Sequence, residues 1–226
     1  MSEIEKIDHE KLIGNLHRPF NGEYLIKTFE HLISELGPHM HEYDTIVGDD
    51  VSGRLLTLVI ADLAGRKRKQ MGLPPPQVFF INAGSNVSKS NKSGETLPKI
   101  RDLIKKHTGE NRKILIVTEW TSTGDSIAIL ANEFKKQNFM PDLCILDSAM
   151  NPASIGSLVD FKIFLGAVRS GAGGCFYFRP YLSGLYSADC TPIAEKRRLD
   201  NSEKAEIIQA RQDMKLIAGE LWKIME

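Results

Sequence analysis

Thr121-Ser122-Thr123-Gly124-Asp125-Ser126 is a run of hydroxyl-bearing and small residues that directly follows Ile114-Leu115-Ile116-Val117-Thr118-Glu119-Trp120. An apolar strand ending in such a turn, with a helix starting near Ser126, points backbone N–H groups and hydroxyls at one spot, and such a spot binds phosphate. Gly124 lets an anion approach the backbone closely, and the helix start adds partial positive charge without a lysine. The same residues also suit a plain helix cap, because Ser, Thr and Asp are favoured caps and Gly is a common turn residue. The apolar strand and then Glu119 put the turn at the carboxyl edge of a parallel sheet, where α/β proteins bind ligands.

The elements that must position this turn read as alternating strands and helices, hence an α/β protein. Tyr24, Leu25, Phe29, Leu32, Ile33 and Leu36 fall at helical spacing, and Gly37-Pro38 ends that covering helix. Thr45-Ile46-Val47 predicts a buried strand, and after the turn Gly48-Asp49-Asp50-Val51-Ser52-Gly53 a helix is expected over Arg54 to Gln70. Leu55, Leu58, Val59, Asp62 and Leu63 mark the faces of that helix. Pro74-Pro75-Pro76 breaks it and leads into a second strand, Val78-Phe79-Phe80-Ile81. Residues 82 to 95 are too rich in Ser, Asn and Gly to pack, and a loop of that length is a lid or a disordered segment. Ile114 to Val117 is the third strand, Leu143 to Leu146 and Phe161 to Leu165 are later ones, and a helix from about Ser202 to Lys223 closes the chain.

Composition bounds the rest. With 226 residues, 42% of them hydrophobic, the chain suits one well-packed domain over 1–226 with a core at about 44–166. Lysine plus arginine equals aspartate plus glutamate at 29 each, so no overall basic field draws nucleic acid or an anionic membrane. The basic runs Gly65-Arg66-Lys67-Arg68-Lys69-Gln70 and Glu195-Lys196-Arg197-Arg198 read as solvated surface. The charged start, Met1-Ser2-Glu3-Ile4-Glu5-Lys6, lacks the apolar core of a signal peptide, and no stretch approaches the ~20 apolar residues of a spanning helix. A cytoplasmic protein is therefore expected. Cys144, Cys175 and Cys190 are widely spaced and odd in number, which indicates neither a disulfide framework nor a zinc site. His39 and His41 lack an evident third metal ligand and read as surface linker. There is no GxxxxGK[ST] and no convincing GxGxxG after a strand.

The stretch Ile114 to Ser126 resembles the signature of the type I phosphoribosyltransferases, a hydrophobic strand followed by two acidic residues and a loop of Thr, Ser and Gly. The resemblance covers about residues 44 to 166 and implies a parallel-sheet core flanked by helices, with a hood from the N- and C-terminal segments. It implies that Thr121, Ser122, Thr123, Gly124, Asp125 and Ser126 hold the 5-phosphate of 5-phosphoribosyl pyrophosphate, with Thr118 and Glu119 near the ribose hydroxyls. Two positions depart from the family pattern: Thr118 stands where the first acidic residue is usual, and Asp125 puts a negative charge inside the phosphate loop.

The family's pyrophosphate loop corresponds to Asp50, Val51, Ser52, Gly53 and Arg54, where Ser52, the Gly53 backbone and Arg54 would bond a diphosphate. Asp49 and Asp50 would instead hold waters on magnesium; the other reading is that they shape a turn and Arg54 opens a surface helix. Lys89 and Lys92 lie in the segment matching the family's closing loop. Magnesium is the implied cofactor, with Glu119 contributing through the ribose and waters. The implied activity is transfer of the 5-phosphoribosyl group to a nitrogen acceptor, a nucleobase for example, with release of pyrophosphate. Glu119 and Asp125 are the catalytic candidates, Asp125 having a structural reading as well. The rival reading is a non-catalytic regulator that binds a nucleotide or phosphoribosyl pyrophosphate. The acceptor would meet the hood, residues 1–40 and 167–226, which includes the aromatic stretch 171–181. A homodimer is expected only as the commonest closed oligomer.

Overall fold

Five apolar runs become five strands that all point the same way: β1 (Thr45–Asp49), β2 (Gln77–Ile81), β3 (Ile114–Thr121), β4 (Asp142–Ser148) and β5 (Ile163–Val168). The helices are α1 (His9–Asn15), α2 (Gly22–Leu36), α3 (Arg54–Gln70), α4 (Asp125–Lys136), α5 (Pro152–Gly156) and α6 (Asn201–Lys223). The computed structural model describes residues 7–17, 22–49, 54–81, 101–102, 105, 112–121, 123–156, 162–168 and 201–226.

The sheet order is β2-β1-β3-β4-β5, parallel throughout. Strand residues alternate between its faces, and each face has its own apolar layer. Ile46, Leu115, Val117 and Leu146 pack with α2, α3 and α6 on one side. Val47, Ile116 and Ile145 pack with α4 on the other. The chain therefore winds one way from β1 to β2 and the other way from β3 to β4. The order reverses between β1 and β3, so their carboxyl ends flank the crevice where doubly wound sheets place ligands.

The described parts of both chain ends join the α3 side, where Leu12, Leu16, Met214 and Leu221 share one buried cluster with α2 and α3. Asp213 of α6, fully buried, accepts from the backbone N–H of His17 at 3.1 Å, and its Oδ1 lies 2.7 Å from His17 Nδ1. α2 comes very close to the sheet at Gly166, where a Cβ would lie 2.4 Å from the Leu146 carbonyl oxygen and 2.7 Å from Thr28 Cγ2. Burial pushes the Cys144 thiol up, keeping this β4 residue an inert part of the core.

The residues that mark the faces of α3 divide between core and solvent. Its buried stripe runs through Leu56, Val59, Ile60 and Leu63, whereas Leu58 is exposed. The basic run at its end is not all solvated surface, because Arg68 is only 4% exposed. Arg68 donates to the carbonyls of Pro74 at 2.6 Å, His41 at 2.9 Å and Tyr43 at 3.0 Å, and to Asp44 Oδ1 at 3.0 Å. Five guanidinium donors in a rigid fork suit a junction where several carbonyls converge.

That junction belongs to a polar seam at the amino end of the sheet. The Tyr43 hydroxyl donates to Asp142 Oδ2 at 2.8 Å, and the Lys113 ammonium lies 5.1 Å from the centre of the Tyr43 ring. Lys113 also bonds Glu42, whose other carboxylate oxygen lies 2.7 Å from His39 Nδ1. These contacts hold the carboxyl of Glu42 down at about 2. Burial and the neighbouring Asp142 push the Tyr43 hydroxyl up. His39 thus belongs to a packed 3-10 turn, Gly37–Glu42, rather than to a surface linker. The seam fixes the starts of β1, β3 and β4 and leaves their far ends for other use.

Candidate functional site

At the carboxyl edge, β3 outruns its neighbour. Pairing between β1 and β3 stops at Gly48 opposite Val117, while pairing between β3 and β4 continues to Thr121 opposite Ser148. The strand is four residues longer than the apolar run Ile114 to Val117 suggested. Burial explains the difference: Thr118 is 2% exposed, Glu119 3% and Thr121 6%, so polar residues here are interior strand residues rather than turn. Glu119, Trp120 and Thr121 are therefore the last residues of β3 and lead up to the turn.

Ties to β4 set where the chain leaves β3. The Thr121 carbonyl accepts from Ala149 N–H at 2.9 Å. Ser148 Oγ accepts from Met150 N–H at 2.9 Å and lies 3.5 Å from the same Thr121 oxygen, while Asp147 Oδ1 accepts from Ser148 N–H at 2.9 Å. Asp147 and Ser148 are fully buried and were not foreseen. Their signal was positional: they follow Leu143 to Leu146 on the strand beside β3, but their polarity disguised them as loop.

The turn ends at Gly124, which is buried and has φ +77°, a left-handed conformation that costs a residue with a Cβ about 1–2 kcal/mol. Gly124 is the N-cap of α4 and, having no side chain, offers the helix start no side-chain cap. The first helical bond runs from Ala128 N–H to the Gly124 carbonyl at 2.8 Å, so the N–H groups before it have no acceptor within the helix. Thr123 is exposed at this turn, and Asp125 and Ser126 are the first two residues of α4, one residue earlier than expected.

The other wall of the crevice is the join of β1 to α3. A Cβ on Gly48 would lie 2.5 Å from Thr57 Oγ1 and 2.6 Å from Phe80 Cδ1, so only glycine lets α3 and β2 close on β1 here. Arg54 opens α3 as expected. Asp50, Val51, Ser52, Gly53, Ser122, Lys89 and Lys92 lie outside the described residues, as do 82–95 and 171–181.

Strand alternation sorts the acidic groups. Thr118 shares the α4 face with Ile114 and Ile116, and Glu119 shares the α3 face with Leu115 and Val117. Asp49, 7% exposed, follows Val47 onto the α4 face at the end of β1. Among the described residues no group of three or more His, Cys, Asp or Glu gathers as a resident metal would need. Magnesium carried on a diphosphate would need only one or two hard carboxylates, and the carboxylates that β1 and β3 bring to this edge are Asp49 and Glu119, on opposite faces of the sheet.

No protein-family model matches the chain, and no curated protein matches it in sequence. The class that fold and site define is an α/β protein with a five-stranded parallel sheet and its candidate site at the switch point. No helix among the described residues is long and apolar enough to cross a membrane.

Proposed function

We propose that this chain binds 5-phosphoribosyl pyrophosphate in the crevice between β1 and β3 and transfers its 5-phosphoribosyl group to a nitrogen acceptor, such as a nucleobase, releasing pyrophosphate. The observation that carries the reading is a coincidence of two independent features. The turn that resembles a 5-phosphate loop begins at the end of the overhanging β3, and it opens α4 through a left-handed glycine at the point where the sheet order reverses. Phosphate binding by a helix start and ligand binding at a switch point both favour this spot.

In this reading residues 121–126 hold the 5-phosphate through N–H groups and hydroxyls, and Thr118 and Glu119 face the ribose hydroxyls. Asp50, Val51, Ser52, Gly53 and Arg54 grip the diphosphate, and Lys89 and Lys92 approach it as it leaves. The bond from the ribose anomeric carbon to the diphosphate oxygen breaks, and its electron pair leaves with the diphosphate. The acceptor nitrogen forms the new bond and gives up its proton, for which Asp125 is the candidate base. Positive charge on the ribose ring makes a nearby carboxylate such as Glu119 stabilising, so the work is positioning and electrostatics. A magnesium ion, when bound, supplies charge neutralisation to the diphosphate. The chain acts in the cytoplasm, where phosphoribosyl pyrophosphate is available to it.

A second reading, binding without transfer, is favoured by Thr118, which removes one carboxylate from the ribose side. Calorimetric titration with phosphoribosyl pyrophosphate, with and without magnesium, on the wild type and Gly124→Glu tests binding. Magnesium-dependent binding that the variant abolishes supports the site, and release of pyrophosphate on adding nucleobases then separates transferase from regulator. A wild type that binds nothing refutes both.

A further inference from the structure

The missing acidic residue at position 118 has a neighbour on the next strand. β1 and β3 run parallel with Gly48 opposite Val117, so one step further along each strand come Asp49 and Thr118. Paired strands lie about 4.8 Å apart, and although the β1–β3 pairing ends at Gly48 and Val117, continuing that register by one residue makes Asp49 and Thr118 lateral neighbours. They also share a face. Val47 and Ile116, two residues earlier on their strands, both belong to the apolar layer under α4, and alternation carries Asp49 and Thr118 onto that side. Asp49 further pairs with Ile81 of β2, so its backbone is held in the sheet up to the crevice, and its 7% exposure gives its carboxylate little freedom to wander.

We propose that Asp49 supplies from β1 the carboxylate that Thr118 fails to supply from β3. This inference rests on the phosphoribosyl pyrophosphate reading and names the residue that completes its ribose and magnesium side. Glu119 does not take that place, since it already stands for the second acidic residue of the signature. Asp147 shares the α4 face but follows two residues beyond the level of Thr118, opposite Trp120. Asp49 is thus the carboxylate beside Thr118 at the same level and on the same face. A transferase lacking one acid of the signature would on this account keep two carboxylates at the site, one from each of the two strands that flank the crevice.

The geometry makes opposite predictions for two substitutions. Asp49→Asn keeps the shape and removes the charge, so magnesium-dependent affinity for phosphoribosyl pyrophosphate falls about tenfold or more, the usual effect of losing a charged hydrogen-bond partner. Thr118→Asp in the Asp49→Asn background restores the carboxylate from the other strand and recovers affinity. Thr118→Asp alone crowds two like charges side by side and leaves affinity unchanged or weaker. The experiment is calorimetric titration of the full chain with phosphoribosyl pyrophosphate, with and without magnesium, for the wild type and these three variants, each checked for native circular dichroism. Wild-type affinity in Asp49→Asn overturns the inference while leaving the functional reading in place. A clear gain in Thr118→Asp alone also overturns it, and that variant decides the matter even if Asp49→Asn does not fold. A wild type that does not bind at all removes the functional reading and this inference with it.

Discussion

Replacing Arg68 by methionine keeps an unbranched stem of similar length and removes every donor, which makes it a clean probe of the junction at the amino end of the sheet. In the native protein Arg68 serves the carbonyls of Pro74, His41 and Tyr43 and one oxygen of Asp44. The Tyr43 acceptor is buried, so stranding it costs about 1–3 kcal/mol. The other three acceptors are partly exposed and recover some hydration, so their loss adds about 0.5–1 kcal/mol each. The sum, about 2.5–6 kcal/mol, brackets the cost of breaking a buried ion pair and is a large part of a typical domain stability. Urea unfolding followed by circular dichroism should therefore show a midpoint shift with an unchanged slope. Because the junction lies at the end of the sheet opposite the crevice, ligand affinity of the folded variant should stay near wild type. A loss of less than about 1 kcal/mol would refute the idea that this arginine is a structural fork rather than part of a solvated basic face.

The Glu42 carboxyl, held down at about 2 by Lys113 and then by His39, makes stability pH-dependent on the acid side. A folded-state value below the unfolded one contributes stability above the unfolded value, and that contribution is lost as pH falls from the ordinary carboxylate range through about 2. Solvent screens this half-buried group, so the effect is about 1 kcal/mol, and Glu42→Gln should flatten the acid limb of a stability profile by that amount. Gly166→Ala should destabilise by about 2–3 kcal/mol, because its Cβ meets the Leu146 carbonyl and Thr28 and must push α2 off the sheet. The Gly166→Ala loss should be read as a lowered thermal midpoint, and an unchanged midpoint would mean that α2 packs less closely than its contacts indicate.

Much of the fold was legible in the chain itself. Five apolar runs gave five strands, and Arg54 to Gln70 formed the helix expected there, because runs bounded by Gly and Pro leave few alternatives. A strand followed by hydroxyls and Gly124 pointed to the edge that now bears the candidate site. Where β3 and β4 ended was not legible, since Thr118, Glu119, Asp147 and Ser148 are polar yet buried, and only sheet pairing keeps such residues in a strand.

Residue type and spacing alone determined that the chain alternates strand and helix and that an apolar strand leads through hydroxyl residues and Gly124 into a helix. Tertiary structure alone decided three other matters. Arg68 lies inside because the carbonyls of residues 41, 43 and 74 converge on it from separate segments. The crevice falls between β1 and β3 because helices on opposite faces reverse the strand order there. Gly48 stands opposite Val117 because register, a relation between residues 69 apart in the chain, is set by packing of both sheet faces and has no signature in either strand by itself.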